Sequence, residues 1–87
     1  MVKNEFKVYI LYSKNIDRYY VGYTGDVLEE RLRRHNCEHK GFTGSAHDWE
    51  VVYLEFFKDK SLALQREKEI KKWKSRMLIE ELIKSSR

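Results

Sequence analysis

The chain has 87 residues, 18 Lys or Arg against 14 Asp or Glu, a formal net charge of +4 and a pI near 9.2. That length predicts one domain, residues 1–87, with a small core, and hydrophobic and aromatic shares of 41% and 14% exclude a disordered tail. No apolar run approaches the roughly 20 residues of a membrane span. The single cysteine, Cys37, has no partner within the chain for a disulfide, which with the absence of a leader-like N-terminus predicts a reducing, cytoplasmic setting.

The positive surplus is unevenly placed. Residues Asp59 to Arg87 hold nine Lys or Arg against five Asp or Glu, so this segment carries the whole net charge. A basic balance suits a polyanionic partner, although the same charge also serves solubility.

Glu5 to Tyr12 alternates, with Phe6, Val8, Ile10 and Tyr12 on one face and Lys7, Tyr9 and Leu11 on the other. This is strand periodicity. Ser13 to Asp17 is a polar turn and Arg18 to Thr24 a second strand, so the two predict a hairpin. With a loop of Ser13 to Ile16, Tyr9 would directly oppose Tyr20 on one face, about 5 Å apart at Cβ. Gly22, inside the second strand, marks a close backbone approach or a bulge. Gly25-Asp26 opens a helix, with Asp26 as N-cap and Glu29 completing a capping box. Val27, Leu28 and Leu32 form its buried side, and Arg31 and His35, four residues apart, share a face.

His39 to Asp48 reads as a Gly/Ser/Thr-containing loop whose Gly41, Thr43 and Gly44 could contact a substrate or only connect two elements. Trp49 to Phe57 is a third strand, apolar on both faces, which predicts a central position. Asp59 or Ser61 caps a helix running to about Lys74, with Ala63, Ile70, Trp73 and Met77 on one stripe and Glu67 at its border. A shorter helix, Met77 to Ile83, ends the chain.

Tyr9, Tyr20, Arg31, His35 and Glu67 make a chemically coherent set. Each taken singly has an ordinary reading: a strand tyrosine, a solvated helix arginine, a helix-terminal histidine, and a glutamate paired with Lys71 at i,i+4. Together they suit phosphodiester cleavage. Tyrosine can activate water if a cation or metal-bound water assists a phenol whose ordinary pKa is near 10. The Arg31 guanidinium matches phosphate oxygens. His35 can hydrogen-bond the phosphate or a tyrosine, or move a proton. Glu67 can hold Mg²⁺, which often takes only one or two protein carboxylates. A zinc site from His35, Cys37, His39 and His47 matches none of the usual ligand spacings, and Cys37 reads as a small apolar residue.

In this order the residues resemble the GIY-YIG nuclease superfamily, in particular its small stand-alone bacterial (URI-like) branch. Lys7-Val8-Tyr9 stands at the first triplet and Tyr20-Val21-Gly22 at the second. Leu28 to Leu32 with His35-Asn36 is similar to the helix carrying the family's arginine. Trp49 to Glu55 is similar to its third strand, and Ala63 to Glu67 followed by Ile70 to Trp73 to the helix with its metal-binding glutamate. The resemblance implies an α+β fold: a three-stranded antiparallel sheet flanked by helices in the order β-β-α-β-α-α.

It also implies a divalent-metal-dependent endonuclease using Mg²⁺ or Mn²⁺, and DNA, or RNA, as partner, with irregular or repair-related structures as the expected substrates. Its tyrosines act on the water, its arginine on phosphate, and its glutamate on the metal. Lys7, Arg34, Lys40, Thr43 and Lys71 are the expected backbone contacts. The alternative is a nucleic-acid-binding module of the same fold that cuts little or nothing. Lys7 replaces the family's first glycine, and no asparagine follows Asn36 where larger members use one. Larger members also carry separate DNA-binding domains, so here a protein partner or homodimer would have to supply specificity.

Overall fold

Phe6–Ser13 forms β1 and Arg18–Thr24 forms β2. Leu28–Asn36 forms α1, Glu50–Phe57 forms β3, Lys60–Trp73 forms α2 and Arg76–Ser85 forms α3. The computed structural model describes residues 6–37 and 41–85, apart from the side chain of Phe42. The sheet is antiparallel throughout, in the order β2-β1-β3, and the fold is the α+β arrangement expected. No described helix is long and apolar enough to cross a membrane.

The alternation of β1 divides the core. Val8 and Ile10 face a cluster with Val21, Ala63 and Ile70 of α2 and Ile83 of α3. Tyr9 and Leu11 face the other way, against Leu28 and Leu32 of α1 and against Ala46 and Trp49. All four β1 residues have zero exposure, as befits a strand paired on both edges and covered on both faces. The central strand is therefore β1, and β3 is an edge strand, contrary to expectation. Apolar residues on both faces report that both sides of the sheet are covered. They do not report whether both edges are paired, because face burial and edge pairing are independent properties. A bulge adds to the ambiguity: Ile10 pairs with Tyr53 and Leu11 with Val51, leaving Val52 out of register.

Four local expectations also change. The hairpin loop is Lys14 to Asp17, one residue later than proposed, which shifts the register by two, so Ser13 pairs with Arg18 and Tyr9 with Gly22. The helix α1 starts at Leu28 after Val27, with no side-chain cap; Asp26 instead accepts from Lys7 Nζ through its carbonyl, at 3.2 Å, and its N–H donates to Thr24 Oγ1. The expected loop after α1 contains a short 3₁₀ turn, Phe42–Ser45. Met77 does not continue the α2 stripe: Lys74 ends that helix in the left-handed region (φ 48°), and Met77 lies 68% exposed on α3.

The late turn has a visible cause. Asp17 sits at φ 54°, a conformation Asp tolerates better than most residues, and it is gripped from the far end of the chain. Arg76 donates from Nη2 to Asp17 Oδ1 at 2.6 Å and from Nη1 to Oδ2 at 3.0 Å and to the backbone carbonyl at 3.1 Å. Tyr12 donates to the same carboxylate, and Arg76 also donates to Glu80, which accepts from Tyr19. The Arg76 bonds, followed by that of Tyr12, hold the Asp17 carboxyl down at about 2. A depressed carboxyl stabilises the fold above its ordinary pKa near 4 and loses that contribution as pH falls through about 2. Arg76→Ala is accordingly expected to lower the melting temperature at pH 6, with the gap from the parent protein closing between pH 4 and pH 2. A gap that stays constant across thermal melts in that range would refute the linkage.

Candidate active site

On the face of the sheet under α1, Tyr9 and Tyr20 come together, though not as a directly opposed pair. The two-residue register change leaves both on the same face, because side chains alternate with period two. Tyr9 stands opposite Gly22 and leans across it. A Cβ on Gly22 would lie 2.7 Å from the Tyr9 hydroxyl oxygen, 2.8 Å from Cζ and 3.0 Å from Tyr20 Cε2. The missing side chain is what lets the Tyr9 ring approach Tyr20, centroid to centroid 6.5 Å. The expected close approach at Gly22 is thus realised by a side chain within the same sheet.

The i,i+4 spacing on α1 turns Arg31 and His35 towards these rings. His35 is buried; its Nε2 lies 2.8 Å from the Tyr9 hydroxyl and its Nδ1 2.8 Å from Thr43 Oγ1. Its ring centre is 4.9 Å from that of Tyr20. Both imidazole nitrogens are therefore engaged by protein groups, which favours contact with a tyrosine over direct contact with phosphate. Thr43, expected at a substrate-contacting loop, is only 2% exposed and serves the histidine.

That position of Thr43 is enforced by the segment after it. The Trp49 indole donates to the Thr43 carbonyl at 2.7 Å. The Asn36 side-chain amide holds the Trp49 backbone in both directions, donating to its carbonyl at 3.0 Å and accepting from its N–H at 2.7 Å. These ties were invisible in sequence, since neither an asparagine nor a tryptophan signals its partner across a loop.

Burial of Tyr9 pushes its phenol above the ordinary value near 10; nearby Arg31 pulls it back, while Tyr20 and Glu67 add to the rise. Tyr9 is thus a neutral phenol at pH 7, in electrostatic reach of both Arg31 and Glu67. Arg31 Nε is buried and has no hydrogen-bond partner among the described residues. A buried guanidinium donor without an acceptor costs free energy unless something else binds it. Other parts of Arg31 line a cleft of about 420 Å³ together with Tyr20, Arg34, His35 and Thr43.

Glu67, from α2, is a carboxylate whose charge reaches Tyr9. Its side chain is 13% exposed and its Oε2 pairs with Lys71 Nζ at 3.1 Å, the helical pair anticipated for it. Lys71 in turn lies over the Tyr20 ring, 5.7 Å from its centroid. No group of three or more His, Cys, Asp or Glu side chains that could hold a metal occurs among the described residues. His39, one of the four residues weighed for a zinc site, lies outside those residues. A single carboxylate does fit a hard cation that takes its remaining ligands from water and phosphate oxygens. Of the expected backbone contacts, Arg34 lines the cleft and Lys71 borders Tyr20. Lys7 turns to the Asp26 carbonyl, and Lys40 lies outside the described residues.

Comparison with known proteins gives the family. The chain is 35% identical over 82 residues to a UPF0213 protein of Haloquadratum walsbyi, covering 90% of this chain and 91% of that one. No solved structure matches it. Residues 5–80 match the GIY-YIG catalytic domain, a span that includes all five residues of the cluster, and the chain belongs to this nuclease family.

Proposed function

We propose that the protein is a divalent-metal-dependent DNA endonuclease whose site is Tyr9, Tyr20, Arg31, His35 and Glu67. The observation that carries this reading is Arg31, which lines a basic cleft with Arg34 and Tyr20, acts electrostatically on Tyr9, and has a buried Nε without a hydrogen-bond partner among the described residues. A guanidinium in a cleft wall suits an oxyanion, and its planar fork matches the oxygens of a phosphate.

The chain's own groups divide the work. Arg31 and Arg34 seat the phosphate, and Arg31 stabilises the negative charge that grows as the phosphorus is attacked. Tyr20, in the cleft wall, orients the attacking water. Tyr9 is a neutral phenol joined to His35, so it can take a proton from the tyrosine–water group only while passing its own to His35 Nε2. That transfer requires the imidazole proton on Nδ1, donated to Thr43 Oγ1. Glu67 would hold the cation, with the exposed Lys71 ammonium swinging clear, and the cation would neutralise charge on the leaving oxygen.

The test is nicking of supercoiled plasmid and a panel of branched and damaged DNAs with Mg²⁺, Mn²⁺ or EDTA, beside Arg31→Ala. Metal-dependent nicking that falls by roughly 10²–10³-fold in Arg31→Ala is expected. Binding without cleavage under every metal would instead assign the chain as a nucleic-acid-binding module.

A further inference from the structure

A second groove shares Tyr20 with the cleft just described. Its volume is about 450 Å³, and Arg18, Tyr19, Tyr20 and Val21 line it together with Lys71 and Lys74. Four consecutive strand residues cannot all point to one face of a sheet. The groove therefore runs along the edge of β2, the edge that pairs with no described strand. Its opposite wall is the end of α2 and the start of α3.

The cations here differ from their neighbours. Arg76, at the mouth, is occupied by Asp17 and Glu80. Arg18 and Lys74 are exposed, and neither forms a salt bridge among the described residues. Lys74 also occupies the left-handed position that ends α2 (φ 48°). Glycine is the favoured residue there, and a side chain costs about 1 kcal/mol. The chain has thus kept a lysine where the backbone alone favours glycine, and that lysine faces the groove.

We propose that this groove carries the polynucleotide strand onward from the active site. The strand crosses Tyr20, with one flank over Arg31 and Arg34 and the other over Arg18, Lys71 and Lys74. Tyr20 is the wall common to both spaces, so the reacting phosphate lies between two basic flanks. Cations along an open strand edge discourage pairing with another protein strand, whereas they suit a chain of regularly spaced phosphates. The inference rests on the nucleic-acid reading of the site, which it deepens.

The test measures binding of fluorescein-labelled single-stranded and duplex DNA by anisotropy, in EDTA, over a series of salt concentrations. The variants are Lys74→Gly, Arg18→Gln and their double. The control is Lys58→Gln with Lys60→Gln, which removes the same charge about 20 Å away, at the other end of α2. The double groove variant is expected to bind at least about tenfold more weakly, with the salt slope reduced by roughly 1.5 to 2. The control should change affinity less than about threefold. Lys74→Gly should melt no lower than the parent protein, because glycine relieves the left-handed strain, so its weaker binding cannot be ascribed to unfolding.

Equal losses in groove and control variants, or none in either, would overturn the groove while leaving the nuclease reading intact. Groove-dependent binding by a protein that never cleaves would do the reverse. No binding by the parent protein at low salt would overturn both.

Discussion

Glu67→Ala is expected to reduce metal-dependent cleavage by roughly 10³-fold while leaving DNA affinity in EDTA within about threefold. The asymmetry follows from where the carboxylate sits. It is largely buried, near Tyr9, and its described partner is the half-exposed ammonium of Lys71. Removing it frees Lys71, a gain in local positive charge that favours phosphate, so ground-state binding should not suffer. On the proposed assignment, by contrast, the cation loses the carboxylate that would hold it. Stability should change little, since removing the carboxylate also removes the desolvation cost of its burial, which offsets the roughly 0.3–0.5 kcal/mol of the i,i+4 pair with Lys71. The assay is plasmid nicking at saturating Mg²⁺ and Mn²⁺, with anisotropy on the same preparation. Cleavage within tenfold of the parent protein would move the cation to other groups and remove Glu67 from the site.

The second large effect is expected at a residue with no side chain. Gly22→Ala should destabilise the fold by about 1–3 kcal/mol and depress cleavage more than tenfold. In an ordinary strand the sign would be opposite, because alanine gains about 0.5–1 kcal/mol over glycine through lost backbone freedom. Here the new Cβ would lie 2.7–2.8 Å from the far end of the Tyr9 ring and 3.0 Å from Tyr20. Tyr9 has no room to retreat, being fully buried with its hydroxyl bonded to His35. Yielding therefore breaks the Tyr9–His35 link, and with it the route by which Tyr9 can hand on a proton. Denaturant titration gives the stability, and the His35 ring resonances in NMR report the loss of the bond. A variant as stable as the parent protein, with unchanged His35 signals, would show that Tyr9 is not confined by this glycine.

Much of the architecture was readable from local patterns, because local patterns reflect local periodicity. The alternation in Phe6 to Tyr12 shows β1 whatever its neighbours are. The i,i+4 relation of Arg31 and His35 places both on one face of α1 wherever that helix docks. Even the misjudged hairpin register kept Tyr9 and Tyr20 on a common face, since an error of two residues preserves parity. The family resemblance rested on the order of these elements along the chain, and that order survives every local error made about them.

The remaining features depend on contacts between residues far apart in sequence, where no period exists to read. The turn at Asp17 is set by Arg76 from α3, 59 positions later. The centrality of β1 depends on which edges find partners, a choice that face polarity leaves undetermined. Thr43 becomes the partner of His35 because Asn36 and Trp49 fold the intervening segment back on α1. Glu67 comes near Tyr9 only through the packing of α2 on the sheet. The sequence by itself determined which residues could do this chemistry and on which elements they ride. The tertiary structure alone decided that Tyr9 bonds His35, that Arg31 Nε is buried without a hydrogen-bond partner among the described residues, and that Gly22 leaves space for the Tyr9 ring, because hydrogen bonds and close packing are short-range forces that act only after the chain has brought its distant parts together.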